Sequence, residues 1–404
     1  MLLPILLFLT IELPHIFLIP SGDGNVEFKL AYLMYHGEYF SHWSTFHPPV
    51  KLLLFNIFFY VLGYPSFTLL GIVVGMLGIY ALYLIGEKLF DKKVALLSAF
   101  LLAISGLYLS VAISGLNDFI MTVIFLFAFV FYTRSRYWLY ALFASLAILT
   151  KETAAVMALG ILITELFQQK KRLIPLLIPC LFLGIWWGFL TATGHHLWND
   201  YNFSATKQYG SVHTILFNLL TFGFLNKFAY ENWLHLFVFN FNWVYTTFAI
   251  IGLFSLKDLL KRKEFLAIGI SSFLFCLLVL SFQTWTINRY ILPILPFLYL
   301  FASYAAVKVN YKYTSVLLLI VIAYISMTTS IDPVSNLIWP KTNIFDEQFY
   351  LIKSDGGDGI TYNLQYLTVM QKRTDMLTNN RCNMPYLLSY DKKTLAAFNI
   401  KTCR

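Results

Sequence analysis

The chain has 404 residues, of which 59% are hydrophobic, 18% aromatic and only 12% charged, with a mean hydropathy of +0.69. A soluble domain of this size cannot hide so much apolar surface, and repeated apolar runs of bilayer-spanning length make the chain a polytopic membrane protein. Its formal charge of +9 would suggest nucleic acid in a soluble protein, but the basic residues fall mostly in short clusters between apolar runs, as membrane topology requires, which excludes that partner.

The first apolar segment, Met1 to Pro20, has no basic leader and no small-residue cleavage site, and it carries Glu12. It reads as a retained helix, not a cleaved signal peptide. The loop from Ser21 to Pro49 follows, dense in groups that hydrocarbon would not tolerate: Asp23, Asn25, Glu27, His36, Glu38, His42 and His47. They are interleaved with Tyr32, Tyr35, Tyr39, Phe40 and Trp43. Acids and imidazoles can move protons or hold a metal, and aromatics can lie at a headgroup surface. On residue types alone, an ordinary hydrated loop with an aromatic belt is an equal reading. Val50–Leu62 is apolar but short, which predicts a helix lying in the interface and not a span.

Basic clusters then recur at Lys88/Lys92/Lys93, Arg134/Arg136, Lys170/Lys171/Arg172, Lys257/Lys261/Arg262/Lys263 and Lys308/Lys312. All should face the cytoplasm, and each interval between them holds two apolar runs, so the chain goes out and returns each time. Spans are predicted near 2–20, 66–87, 94–113, 119–133, 137–150, 153–167, 173–193, 236–256, 266–282, 291–307 and 315–331. About eleven spans place the first residue inside and the tail outside. On this topology the polar exceptions fall on the outer side: Asp23 and His47, Asn117 and Asp118, Lys151 and Glu152, and Arg289. A charge at bilayer depth costs roughly 2.5–3.5 kcal/mol on the lenient insertion scale, so such residues usually face a cavity or a partner.

Lys151 is the most informative. Only 33 residues separate Arg136 from Lys170, and they must form an out-and-back hairpin. Each arm is then about 15 residues, roughly 22 Å, against a hydrocarbon core of about 30 Å. The tip stops near outer headgroup depth, at the level of a lipid phosphate. The plainer alternative is a tip lysine that snorkels to water and pairs with Glu152.

The outer loop 194–235 carries His195, His196, Asp200 and His213 and could cover an outer-face site, though paired histidines are more often plain interface residues than metal ligands. Asn202-Phe203-Ser204 fits a glycosylation acceptor, a short and weak pattern. From Asp332 the composition turns polar, with the turn signal SDGGDG at 354–359 and alternating runs such as ITYNLQYLTV, which predicts a small outer α+β cap over 332–404 beside a membrane domain over 1–331. The acidic turn is too short for a known Ca²⁺ loop. Cys180 and Cys276 lie in apolar runs and read as core, while Cys382 and Cys403 lie in the tail. The tail pair is expected to form a disulfide worth roughly 3 kcal/mol in the loop-entropy model, readable by non-reducing mass spectrometry; two free thiols are the alternative.

Several motifs, in order and on one side, together resemble the GT-C glycosyltransferases, in the branch of protein O-mannosyltransferases and lipid A aminoarabinose transferases. An acidic residue follows the first span, here Asp23, and an aromatic loop ends in a basic residue and two prolines, here Phe46-His47-Pro48-Pro49. A short helix ends at Gly63, and a span ends in LIGEKLFDKK. An aspartate opens a span, here Asp118; the turn LTKE follows, here Leu149 to Glu152; and RYILPILPFLYLFAS resembles the family's late Arg-Tyr, proline-spaced helix. The resemblance covers roughly residues 1–310. It departs from the family at Gly24, where a second acid is usual and Glu27 is the other candidate, at Ser66–Leu69, where an arginine is absent, and at His47, where lysine is frequent.

The resemblance implies an all-α GT-C-type bundle with outer-face loops that takes a sugar from a polyprenyl- or dolichyl-phosphate and gives it to a hydroxyl on a protein, lipid or glycan. The membrane is then a prokaryotic plasma membrane with the site facing outside, or the endoplasmic reticulum in a eukaryote. Cations must meet a lipid phosphate leaving group at headgroup depth, a role that Lys151 and Arg289 fit, with His47 as a third. The acceptor hydroxyl needs a base, for which Asp23 is the best candidate; Asp118 could orient it or share a divalent metal with it. Glu27, Glu152 and Tyr290 are secondary candidates. A transporter or flippase for a lipid-linked or small anionic substrate is the alternative, as is an inactive scaffold; a transporter would carry polar groups at mid-span.

Overall fold

Apolar runs bounded by basic or turn-forming residues fold as helices, because in hydrocarbon a helix satisfies its own backbone hydrogen bonds. The computed structural model describes residues 1–13, 48–62, 66–168, 173–192, 233, 236–237, 241, 243–256, 262–280, 288–308, 312–329, 331–332, 337–338, 387–390 and 398–401. The helices are α1 Leu2–Glu12, α2 Val50–Leu62, α3 Ser66–Leu89, α4 Lys92–Ala103, α5 Gly106–Ser114, α6 Asn117–Thr133, α7 Tyr137–Ile148, α8 Ala154–Phe167 and α9 Leu173–Ala192. They continue as α10 Trp243–Phe254, α11 Lys263–Leu280, a 3₁₀ turn Asn288–Ile291, α12 Leu295–Lys308 and α13 Lys312–Thr329. Four short strands lie in the tail, β1 Ile331–Asp332 with β2 Leu337–Ile338 and β3 Leu387–Tyr390 with β4 Phe398–Lys401, each pair antiparallel. The expected turn at 354–359, the run ITYNLQYLTV, Cys382 and Cys403 fall outside the described residues, as does all of the loop 194–235 except Trp233 and the loop 20–65 before Pro48.

Among the described residues one helix, Thr68–Leu89, is by itself long and apolar enough to cross a bilayer, with 22 residues at a mean hydropathy of 2.2; the others are shorter or less apolar. Two expected spans differ in detail. The run 94–113 is not one helix: it breaks after Ala103, and Ser105 opens α5 by accepting a hydrogen bond from the Tyr108 amide at 3.5 Å. Gly115 then closes α5 with φ 54°, the left-handed cap that glycine takes without cost. The run 291–307 likewise starts as a 3₁₀ turn, because its spaced prolines interrupt helical hydrogen bonding until Leu295.

Packing brings α6 against α7 and α3, α8 against α11, and α10 and α4 against α12. Small residues make the closest crossings possible, as expected where dispersion and not hydrophobic transfer holds helices together. A Cβ on Gly71 of α3 would fall on the Ala112 carbonyl of α5, and one on Gly160 of α8 would lie 2.5 Å from the Ser271 Cα of α11. The Ser271 hydroxyl donates to the Met157 carbonyl at 2.8 Å across that second crossing. Gly71→Val has no flexible neighbour to displace and should destabilise the bundle by about 1–3 kcal/mol or more, read as a lower melting temperature in detergent.

The polar exceptions are not confined to one end. At the end of the bundle opposite Asp118, the Lys263 ammonium donates to Tyr137 at 2.7 Å and to the Glu165 carboxylate at 3.1 Å, and the Tyr132 hydroxyl donates to Glu165 at 2.9 Å. Glu165 is 1% exposed. This cluster ties α6, α7, α8 and α11 together: Glu165 Oε1 accepts from both Tyr132 and Lys263, and the Lys263 charge offsets that of the buried carboxylate, whose Oε2 has no hydrogen-bond partner among the described residues.

Candidate functional site

Asp118 lies in the first turn of α6, just after the Gly115 cap, where the helix dipole favours a carboxylate. Lys151 lies in the turn between α7 and α8. Its own amide donates to the Ala147 carbonyl at 3.0 Å and its carbonyl accepts from the Ala154 amide at 3.1 Å, so the backbone at this residue is fixed from both sides. Arg289 lies in the 3₁₀ turn before α12, whose carbonyl accepts from the Leu292 amide at 3.0 Å.

These three elements meet. The Lys151 Nζ is 2.5 Å from one Asp118 oxygen, Oδ1, and the Arg289 Nε is 3.3 Å from the other, Oδ2. The Lys151 ammonium also lies 5.0 Å from the centre of the Tyr290 ring, a cation–π distance. Lys151 is 6% exposed and Asp118 3%. The snorkelling alternative therefore does not describe Lys151, which turns inward to an aspartate 33 residues upstream. Its hairpin arms of 12 and 14 residues are as short as the sequence indicated. Glu152, beside it, is partly exposed. Removing one partner of a buried ion pair costs about 3–5 kcal/mol, so the cluster is also a structural joint between α6, the 149–153 turn and the 3₁₀ turn.

A residue passed over in the sequence completes the basic character of this end. Lys51, the second residue of α2, is 1% exposed. The amide of its neighbour Val50 donates to the Leu149 carbonyl at 3.1 Å, which docks the start of α2 on the turn that carries Lys151. The available signal was a lysine inside an apolar run directly after two prolines. Asp23, Glu27 and His47 lie outside the described residues.

A narrow apolar cleft is lined by Leu236, Phe275, Cys276, Val279, Tyr290 and Ile294. Tyr290 thus borders the cleft on one side and the Lys151 ammonium on the other. A buried positive group at the head of an apolar cleft suits an amphiphile with an anionic head. Metal chemistry at Asp118 is a poorer match: both its oxygens already face cations, and a divalent ion there would be repelled by both. Among the described residues no three His, Cys, Asp or Glu side chains come together as a metal-binding group.

Residues 46–198 match the family described as dolichyl-phosphate-mannose-protein mannosyltransferase. Among solved structures the chain is similar to ArnT from Cupriavidus metallidurans bound to undecaprenyl phosphate, with a TM-score of 0.58 at 13% identity over 92% of this chain and 73% of that one. It is also similar to the archaeal oligosaccharyltransferase AglB from Archaeoglobus fulgidus in complex with an inhibitory peptide and a dolichol-phosphate, with a TM-score of 0.53 at 15% identity over 91% of this chain and 59% of that one. A search of curated proteins gives no match. The structural likenesses, at such identities, are likenesses of fold, and the family match lies on the stretch that carries Asp118 and Lys151. The chain thus has the fold of these membrane glycosyltransferases, and its residues 46–198 are similar to the dolichyl-phosphate-mannose-protein mannosyltransferase family.

Proposed function

We propose that the protein is a membrane glycosyltransferase that moves a sugar from a polyprenyl- or dolichyl-phosphate donor to a hydroxyl on a protein, lipid or glycan, on the outer or lumenal face. The observation that carries this reading is the buried Lys151–Asp118–Arg289 cluster at the head of an apolar cleft. In the step proposed, the acceptor oxygen bonds to the anomeric carbon as the bond from that carbon to the phosphate oxygen breaks. The hydroxyl proton passes to Asp23 as general base, and the lipid leaves as a phosphate monoester. The negative charge gained by the leaving phosphate meets Lys151 and Arg289, with Lys51, whose neighbour Val50 docks on the turn that carries Lys151, and His47, close to Lys51 in sequence, as further cations. Fixed cations in a site sheltered from water stabilise such charge with little reorganisation.

A transporter is less well supported. From Phe119 to Phe131 helix α6 is apolar apart from Thr122, so the polar clusters at its two ends are not joined along it.

Purified full-length protein in nanodiscs, given radiolabelled polyprenyl-phosphate sugar and a membrane extract, is expected to release lipid phosphate and label an acceptor. Absence of both would sink the reading. Its orientation belongs to the same proposal, with eleven spans over 1–331 and an extracytoplasmic domain over 332–404. Cysteines placed at Lys92, Lys171 and Lys261 should be shielded from an impermeant thiol reagent in intact cells, while ones at Ser41 and Asp358 should react. Labelling at Lys171 from outside would overturn that topology.

A further inference from the structure

Helices α8 and α11 run antiparallel and touch at two levels. Near their middles Gly160 lies against the backbone of Ser271, and the Ser271 hydroxyl donates to the Met157 carbonyl at 2.8 Å. Toward the end opposite Asp118, the Lys263 ammonium reaches the Glu165 carboxylate at 3.1 Å. At about 1.5 Å per residue, Lys263 stands about 12 Å from Ser271 along α11 and Glu165 about 7.5 Å from Gly160 along α8, and the long lysine side chain spans the difference. In the other direction Lys151 stands about 13 Å from Gly160, while Phe275, Cys276 and Val279 stand about 6–12 Å from Ser271. The Lys151 carbonyl accepts from Ala154, the first residue of α8, so the cation rides on α8 while this wall of the cleft rides on α11. Their relative height follows the register of the two helices.

The joint at Glu165 gathers the helices that carry the site at the other end. The Tyr132 hydroxyl of α6 donates to the same Glu165 oxygen at 2.9 Å, and α6 carries Asp118 in its first turn. At the middle level Gly160 offers no side chain to interlock, and the Ser271–Met157 contact is one neutral hydrogen bond. The charge-assisted pair is the stronger and more directional tie, and a slip of one residue, about 1.5 Å, would draw Lys263 away from Glu165.

Resting on the function proposed above, we propose that Glu165 and Lys263 are positioning residues that fix the register of α8 against α11, and so set the spacing between the cation that meets the donor phosphate and the cleft wall that receives the donor's first isoprene units. Neither touches a reacting atom. Phosphate and prenyl chain are joined covalently, so head and tail are held together only where that spacing matches the lipid. Loss of register leaves each half of the site intact and removes the gain from engaging both at once.

The test uses full-length protein in nanodiscs, with methyl phosphate as a head-only probe and farnesyl phosphate as a head-and-tail probe. The variant Tyr132→Phe/Glu165→Leu/Lys263→Leu removes the partnered polar groups together and leaves apolar side chains that pack at more than one offset, so the fold survives while the register is freed. It is expected to melt close to wild type and to bind methyl phosphate within about threefold of wild type, but farnesyl phosphate about tenfold more weakly or worse. In sugar transfer the donor KM should rise by about tenfold with kcat little changed. A joint that is merely structural weakens both probes together and lowers the melting temperature; that pattern overturns the inference, as does an unchanged affinity for farnesyl phosphate. If the triple variant does not fold, Glu165→Asp keeps the charge and shortens its reach. It should weaken farnesyl phosphate by about threefold or more with methyl phosphate unchanged, and an unaltered ratio of the two affinities overturns the inference. If wild type transfers no sugar and binds neither probe, the proposed function falls and this inference with it. If wild type does both and the ratio is the same in the variants, the inference alone falls.

Discussion

Asp23→Asn should cut turnover by roughly 10²–10⁴-fold, the usual scale for losing a general base. The substitution keeps the size and planarity of the side chain and removes its capacity to accept a proton. An acceptor hydroxyl is a poor nucleophile at neutral pH, so the loss falls on the step in which it attacks. Binding of the lipid-phosphate donor precedes that step and should stay close to wild type, so the defect appears in kcat and not in donor affinity. The measurement is a single-turnover rate beside a donor-lipid binding isotherm in the same detergent. Full activity in the variant would leave the first outer loop without support as the catalytic centre.

Lys151→Ala should fail differently. Here the ammonium is proposed to hold the donor phosphate in the ground state and the transition state alike, so donor affinity and turnover fall together, turnover by at least about tenfold. The structure adds a second cost, because the change removes the cation 2.5 Å from Asp118 and with it the contact that joins the 149–153 turn to α6. Lys151→Arg should rescue only in part. A planar guanidinium fork differs from a point charge that sits 2.5 Å from a carboxylate and beneath an aromatic ring. Thermal melting of each variant separates the structural share from the functional one: a Lys151→Ala protein that melts like wild type and binds donor like wild type would remove Lys151 from the phosphate site. The two variants form a pair, since a base and a phosphate ligand predict opposite patterns of donor affinity.

Much of this could be read along the chain. Apolar runs between basic clusters predicted α3, α6–α9 and α11–α13 to within a few residues, because a backbone in hydrocarbon has almost no alternative to helix, whereas 94–113 is split into α4 and α5 and α10 starts at Trp243, not at 236. The short arms about Lys151 followed from counting residues, and they are 12 and 14 residues long. Asp118, Lys151 and Arg289 stood out one by one, since each is a charge at the edge of an apolar run, where it has to be accounted for.

Their union was not legible. That Lys151 pairs with Asp118 and not with its neighbour Glu152 depends on how α6, the 149–153 turn and the turn before α12 pack, and hydropathy carries no information about which helix ends meet. The same holds for Lys51, which the sequence left in an interfacial helix and which is buried because Val50 docks on the Leu149 carbonyl. It holds again for Glu165 and Lys263, whose burial at the opposite end is affordable only through Tyr132 and Tyr137. The break at Ser105 and the cleft beside Tyr290 are likewise products of helix against helix. The sequence by itself determined where helices form and which charges need partners, because both follow from local transfer free energies. Only the tertiary structure decided who those partners are, because a buried charge is tolerated only where distant segments bring it an opposite one.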